Sequence, residues 1–269
     1  MEIPVYQVDA FTSRMFGGNP AAVCPLAEWL PDQTMQAIAA ENNLSETAFF
    51  VRDGDRYGLR WFTPVIEFDL CGHATLAAAH VILNYLAPGG QEVVFDSRSG
   101  ELVVRRQGER LCLDFPSRPP ERCAVHPRLI EGLGAHPAEV LAARDYMVVY
   151  SSPDDVVGLK PDFGILAALD RSAVIVTAPG RDVDFVSRFF APADGFNEDP
   201  VTGSAHCTLI PYWSRRLGKT TLRARQVSSR GGELFCEDRG ERVWIAGCSV
   251  LFLKGTIYLG EESPRRATT

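Results

Sequence analysis

The chain has 269 residues, 46% of them apolar and 23% charged, with a net charge of −7. That is enough apolar material for one large core or two smaller ones, and the negative balance argues against a nucleic-acid or acidic-membrane surface. Only Lys160, Lys219 and Lys254 are lysines among the 27 basic residues, so few positions could carry the Schiff base of a pyridoxal-phosphate enzyme.

In chain order, short apolar and β-branched runs predict strands at 5–8, 47–51, 58–62, 92–95, 101–105 and 111–115. Two helical patterns stand among them. One covers 31–42, with Pro31 near its first turn; the other covers 74–86 and is stopped by Pro88-Gly89-Gly90. Pro116-Ser117-Arg118-Pro119-Pro120 then reads as a linker. Beyond it, strands are predicted at 146–150, 173–177, 185–190, 232–236, 242–246 and 250–254, and helices at 163–169 and 203–217. Gly218 ends the last helix, and Pro211 is expected to kink it. The reading is an α+β chain with an N-terminal lobe at 1–118, a C-terminal lobe at 119–260 whose last strand is free to cross back, and a tail at 261–269.

No run of about 18 to 20 apolar residues spans a bilayer, and the start has no secretory pattern. Seven Cys without a C-x-x-C predict free thiols and a cytoplasmic location. Gly218-Lys219-Thr220 mimics the end of a P-loop, but Trp213 stands where its first Gly belongs. No G-x-G-x-x-G follows a strand, and H-E-x-x-H is absent. His73 and His80 share a helix face without a third ligand, so neither a metal nor an organic cofactor is expected. Ser204 and His206 lie too close along one helix to make a hydrolase pair.

The chain also resembles itself. Arg60-Trp61-Phe62-Thr63-Pro64 recurs 128 positions on as Arg188-Phe189-Phe190-Ala191-Pro192. Ser97-Arg98-Ser99-Gly100-Glu101-Leu102 recurs 132 positions on as Ser229-Arg230-Gly231-Gly232-Glu233-Leu234. A repeat of this length is a lobe, and two such lobes meet about a pseudo-twofold with a cleft between them. Each lobe is expected to be a curved, mostly antiparallel sheet wrapped around a central helix. The 128 offset sets Cys71 against Asp199, Gly72 against Pro200 and Ala74 against Thr202, each just before a helix. Two helix N-termini facing one cleft would offer free N–H groups to a carboxylate or enolate oxygen. Gly72, Ala74, Gly203 and Ser204 are small enough to let a ligand reach the backbone. Plain helix capping by Asp199, Thr202 or Ser204 is the alternative.

Four further side chains carry candidate chemistry. Glu46 stands at the mouth of the apolar run 47–51, where desolvation favours proton transfer near neutrality, and its counterpart at the 128 offset is Val174. Cys71 at a helix N-terminus has the setting of a lowered thiol pKa, or of a small buried apolar residue. His73 can hold a carboxylate or shuttle a proton. Asn19, between two Gly and a Pro, sits in a tight loop that reaches the cleft.

These motifs resemble a known family. Val8-Asp9-Ala10-Phe11-Thr12, Gly18-Asn19-Pro20-Ala21-Ala22-Val23, Asn43-Leu44-Ser45-Glu46-Thr47-Ala48-Phe49 and Asp69-Leu70-Cys71-Gly72-His73-Ala74-Thr75 lie in the first lobe. Glu198-Asp199-Pro200-Val201-Thr202-Gly203-Ser204-Ala205 and Gln226-Val227-Ser228-Ser229-Arg230-Gly231-Gly232 lie in the second. Nearly the whole chain is similar to the PhzF-like phenazine-biosynthesis proteins, which share the diaminopimelate epimerase fold. The resemblance implies a cofactor-free isomerase of a small carboxylate-bearing substrate, with Glu46 as acid/base and His73 and Asp199 in its pocket. In the phenazine enzyme a hydrogen moves within a dihydro-hydroxyanthranilate ring. The epimerase relatives use two thiols, of which only Cys71 has a match here. Asn19, Cys71, Gly72, Thr202, Gly203 and Ser204 complete the expected substrate-binding set, with no metal ligand among them. A homodimer is compatible with this reading but not required by it. An epimerase or racemase using Cys71 opposite an acid, and a binding protein that kept the cleft without chemistry, are the competing readings.

Overall fold

The computed structural model describes residues 1–260; the predicted tail at 261–269 lies outside the described residues. Eighteen strands join into one hydrogen-bonded sheet that curls twice. The curls meet where strand Arg110–Pro116 runs antiparallel to strand Arg242–Gly247. In that pairing Leu113 lies opposite Ile245, 132 positions on, so each residue faces its own repeat equivalent and the pseudo-twofold passes between them. Strand Ser249–Tyr258 then crosses back to pair along the whole of strand Glu2–Ala10 in the first lobe.

Each curl closes on a helix. Six α-helices are numbered α1 (Asp32–Asn42), α2 (Gly72–Val81), α3 (Leu129–Leu133), α4 (Pro153–Gly158), α5 (Phe163–Ala167) and α6 (Gly203–Leu217). α2 reads GHATLAAAHV and is buried at every position but His80. A helix apolar all round is a core helix, and four Ala let the strands wrap it closely. It packs on Val8, Val23, Ala48 and Leu113, while α6 packs its Cys207, Ile210 and Trp213 against Leu222, Leu234 and Ile245. α1 covers the outer face of the first sheet over Cys24, Phe49 and Phe62. The shorter α3, α4 and α5 cover the second over Val148, Val176 and Phe190. No described helix is long and apolar enough to cross a membrane, and all seven Cys are free thiols.

The predicted helix at 74–86 starts two residues earlier and ends in a π-helical turn over Ile82–Leu86. α6 runs on across Pro211. Proline there has no N–H for the carbonyl of Cys207, four residues back. That carbonyl accepts instead from the backbone N–H of Arg118 (2.9 Å), so the helix interruption docks the Pro-rich linker. Strand Asn19–Leu26 was not anticipated, because Pro20 and Pro25 argue against a strand; it lies between strands Glu2–Ala10 and Glu46–Asp53.

The sheet register also corrects the repeat arithmetic. Arg60 makes a two-pronged ion pair with Glu67, and Arg188 makes the same pair with Glu198. The second connection is three residues longer (188 to 198 against 60 to 67). The equivalence downstream therefore shifts: Gly72 meets Gly203, and a Cβ on either would lie within 3.4 Å of the other's Cα. The counterpart of Cys71 is Thr202, each at the cap of its helix, and not Asp199. Phe62 pairs with Thr47 and its repeat partner Phe190 with Val174, so the counterpart of Glu46 is Ala173 rather than Val174.

Candidate active site

Three segments of the first lobe and two of the second converge where α2 and α6 touch end to end. Asn19 is the first residue of its strand, not a loop tip, and is fully buried. Glu46 opens the next strand, hydrogen-bonded in parallel beside Ala21, and is 6% exposed. Cys71 caps α2 with extended backbone, and His73 follows on its first turn. Asp199 ends strand Phe196–Asp199, and Thr202 caps α6. Neither helix has a side-chain cap, so capping does not account for these residues.

The polar groups form one chain across the lobes. Glu46 Oε2 lies 3.0 Å from His73 Nε2, but off the line of a hydrogen bond, and neither atom finds another partner among the described residues. At the other side of the ring, Asn19 Nδ2 approaches His73 Nδ1 at 3.0 Å, and Cys71 Sγ lies at 3.5 Å. Asn19 Nδ2 also donates to Asp199 Oδ1 (2.7 Å) and to the Val201 carbonyl (2.9 Å), leaving its Oδ1 unpartnered. The Thr202 hydroxyl donates to Asp199 Oδ2. A buried polar atom without a partner costs about 1–3 kcal/mol, so Glu46 Oε2, His73 Nε2 and Asn19 Oδ1 are the atoms with hydrogen-bonding capacity to offer a polar ligand.

Burial and neighbours set the charges. Burial pushes Asp199 up to about 6, with His73 pulling down and Glu46 pushing further up. Burial works against a charged His73 ring, but Cys71 and Glu46 beside it hold it well above the ordinary imidazole range. Burial, reinforced by the Glu46 carboxylate, pushes the Cys71 thiol up to about 11. Of the two settings the sequence allowed, this is the buried one: the helix end and His73, which pull the thiol down, are outweighed by burial and the Glu46 carboxylate. Glu46, Cys71 and His73 do bring ligand-type atoms within 4.8 Å of one another. A metal held there would have to displace the protons that this pocket keeps on Cys71 and His73. Of the predicted set, Gly72, Gly203 and Ser204 supply the helix ends, and their backbone, rather than the Ser204 hydroxyl, is the feature they share.

Asp199 has a thermodynamic signature. Its folded midpoint lies above the unfolded one, so between about pH 4 and 6 the folded state binds the extra proton, and stability falls as pH rises through that window. Asp199→Asn should flatten this slope and be more stable than the parent above pH 6, by on the order of 2 kcal/mol. Thermal unfolding from pH 4 to 8 checks it; equal slopes in both proteins would exclude it.

A second network was missed at the sequence level. Arg230 donates to Asp9 Oδ1 (2.8 Å) and to the carbonyls of Gly17 (3.0 Å) and Gly18 (2.9 Å). The Gly18 N–H donates back to the Gly231 carbonyl (2.7 Å). This clamp ties the turn that presents Asn19 to the other lobe. The clue was divided among three motifs: Asp9 in the first, Gly18 in the second, and Arg230 beside Gly231 in the third.

A family profile described as phenazine biosynthesis-like protein matches residues 8–255. The chain belongs to the phenazine biosynthesis-like family. An uncharacterized isomerase of Pseudomonas aeruginosa is 55% identical over 96% of this chain and 100% of its own length. The crystal structure of a PhzF-family phenazine biosynthesis protein from Enterococcus faecalis superposes with a TM-score of 0.94 at 52% identity, covering 96% of this chain and 100% of that one. A hydroxyproline epimerase from Agrobacterium vitis, solved with trans-4-hydroxy-L-proline, superposes at 0.61 with 10% identity, over 97% of this chain and 94% of that one; it shares the fold alone. This PhzF-like chain is thus an enzyme of the isomerase kind with the two-lobed, epimerase-type α+β fold.

Proposed function

We propose that this PhzF-like protein is a cofactor-independent isomerase that moves a proton within a small carboxylate-bearing metabolite. The observation that carries the reading is the buried Glu46–His73 contact, with both facing atoms unpartnered, beside the abutting ends of α2 and α6. Glu46 takes a proton from a carbon next to a carboxyl or conjugated system, and the electron pair of that C–H bond moves onto the substrate's oxygen. The N–H groups of Gly72, His73, Gly203 and Ser204 stabilise the charge that develops, each helix adding the positive end of its dipole. Glu46 then returns the proton to a different carbon. His73, held above the usual imidazole range, keeps the carboxylate oriented and balances its charge. Asp199 and Asn19 position the ring from the other side.

The epimerase alternative needs Cys71 as a second acid/base. Its neutral, buried thiol and the hydroxyl of Thr202 at the matching helix cap speak against it. Cys71→Ala should retain activity within about tenfold, and chelation should leave the rate unchanged. Thermal-shift screening of small cyclic and amino carboxylates identifies a ligand, and turnover of that ligand in deuterated water then tests the reading. A Cys71→Ala protein as inactive as one lacking Glu46 would overturn it in favour of epimerisation. A bound ligand that never exchanges hydrogen would reduce the protein to a binder.

A further inference from the structure

Of the fully buried polar side chains outside the mechanism above, Gln226 is the one bonded to both Asp199 and Thr202. Gln226 ends strand Thr221–Gln226, where Leu222, Ala224 and Gln226 alternate toward the core. A glutamine at such a position must find partners for all its amide groups. Its Oε1 accepts from the backbone N–H of Thr202 (2.9 Å). Its Nε2 donates to the Asp199 carbonyl (2.8 Å) and to Thr202 Oγ1 (3.1 Å). Because the Thr202 oxygen accepts from the amide, its single hydrogen is left for Asp199 Oδ2.

We propose that Gln226 is a positioning residue that fixes the direction of the Thr202 hydroxyl and thereby the protonation of Asp199. It bonds directly to Asp199 and Thr202, and among the described residues its hydrogen bonds include none to Glu46 or His73. The same amide satisfies the Thr202 N–H at the mouth of α6, so the following N–H groups stay aimed at the space beside Gly72. The groups facing the Asp199 carboxyl are Asn19 and Thr202, which donate to it, and the charges of His73 and Glu46. With Gln226 replaced, the hydroxyl is free to turn away, and the carboxylate keeps one donor instead of two. Loss of a hydrogen bond to the charged form raises a carboxyl pKa.

The inference rests on Asp199 being part of the proposed site, but its test needs no substrate. The side-chain carboxyl of Asp199 is followed by carbon NMR against pH, assigned with Asp199→Asn. Gln226→Leu should raise its midpoint by about one pH unit. Thr202→Val should do the same, and the double variant should add little, because both act through one hydroxyl. Gln226→Glu, which offers no donor and draws the hydroxyl to itself, should raise the midpoint further. If Gln226→Leu does not fold, Gln226→Glu and Thr202→Val alone carry the comparison. An unchanged Asp199 midpoint in folded Gln226 variants, or full additivity with Thr202→Val, would overturn the proposal. A shifted midpoint with unaltered kcat and KM would leave this linkage intact and instead sink the assignment of Asp199 to the reaction.

Discussion

Glu46→Gln is expected to lower turnover by about 10² to 10⁴-fold while leaving ligand affinity within a few-fold. The amide keeps the shape of the carboxylate and still reaches His73, so the buried contact at 3.0 Å is not replaced by a void. What is lost is the group proposed to take the proton. Glu46→Asp should also be impaired, because the shorter stem withdraws the oxygen by about 1 Å from a reaction that needs contact near 3 Å. No acid stands at the equivalent place in the second lobe, where Ala173 occupies the register position, so nothing there can take over. Rates for parent and variants on the identified ligand, with affinity measured separately, check this. Parent-like turnover in Glu46→Gln would remove the acid/base role.

Arg230→Met is expected to destabilise the protein by about 3 kcal/mol, roughly 6 to 10 °C in melting temperature. The guanidinium is partly exposed, but its partner Asp9 is 1% exposed. Removing the cation strands a buried carboxylate, whose other hydrogen bond comes from the Phe16 N–H at 3.0 Å, and frees the Gly17 and Gly18 carbonyls. Asp9→Asn in the same background should recover part of the loss by removing the stranded charge. Thermal denaturation of the parent and the two variants checks it. A melting temperature within 2 °C of the parent would show that the clamp contributes little across the lobe boundary.

The lobes were legible because two repeated motifs kept their order, and Glu46, His73 and Asp199 do converge. The equivalences at residue level were not legible. Three extra residues between Phe190 and Glu198 are invisible without the sheet register, and they moved the match of Cys71 from Asp199 to Thr202. Strand Asn19–Leu26 hid behind two prolines. α4 was not predicted, although Ser152-Pro153-Asp154-Asp155 carries a capping box with Pro at its first turn. Gln226 could have been found from the alternation Leu222, Ala224, Gln226, which puts an amide on a buried face. The raised thiol of Cys71 was beyond sequence reasoning: a helix end pulls it one way and burial the other, and only the fold says how deep it lies.

The pairing of Leu113 with its own equivalent Ile245 has a consequence for handedness. An axis running through the sheet beside the two helix ends relates every position around the cleft to a partner rotated by half a turn. A flat, nearly symmetric molecule seated on that axis would find two flipped poses almost equal in shape and in backbone hydrogen bonding. The tie is broken by side chains alone: Glu46 against Ala173, Cys71 against Thr202, and His73 against Ser204. How such a molecule would sit therefore depends on the side chains that differ between the halves, Asp199 against Phe68 among them, and exchanging residues within those pairs is the route to reversing the pose.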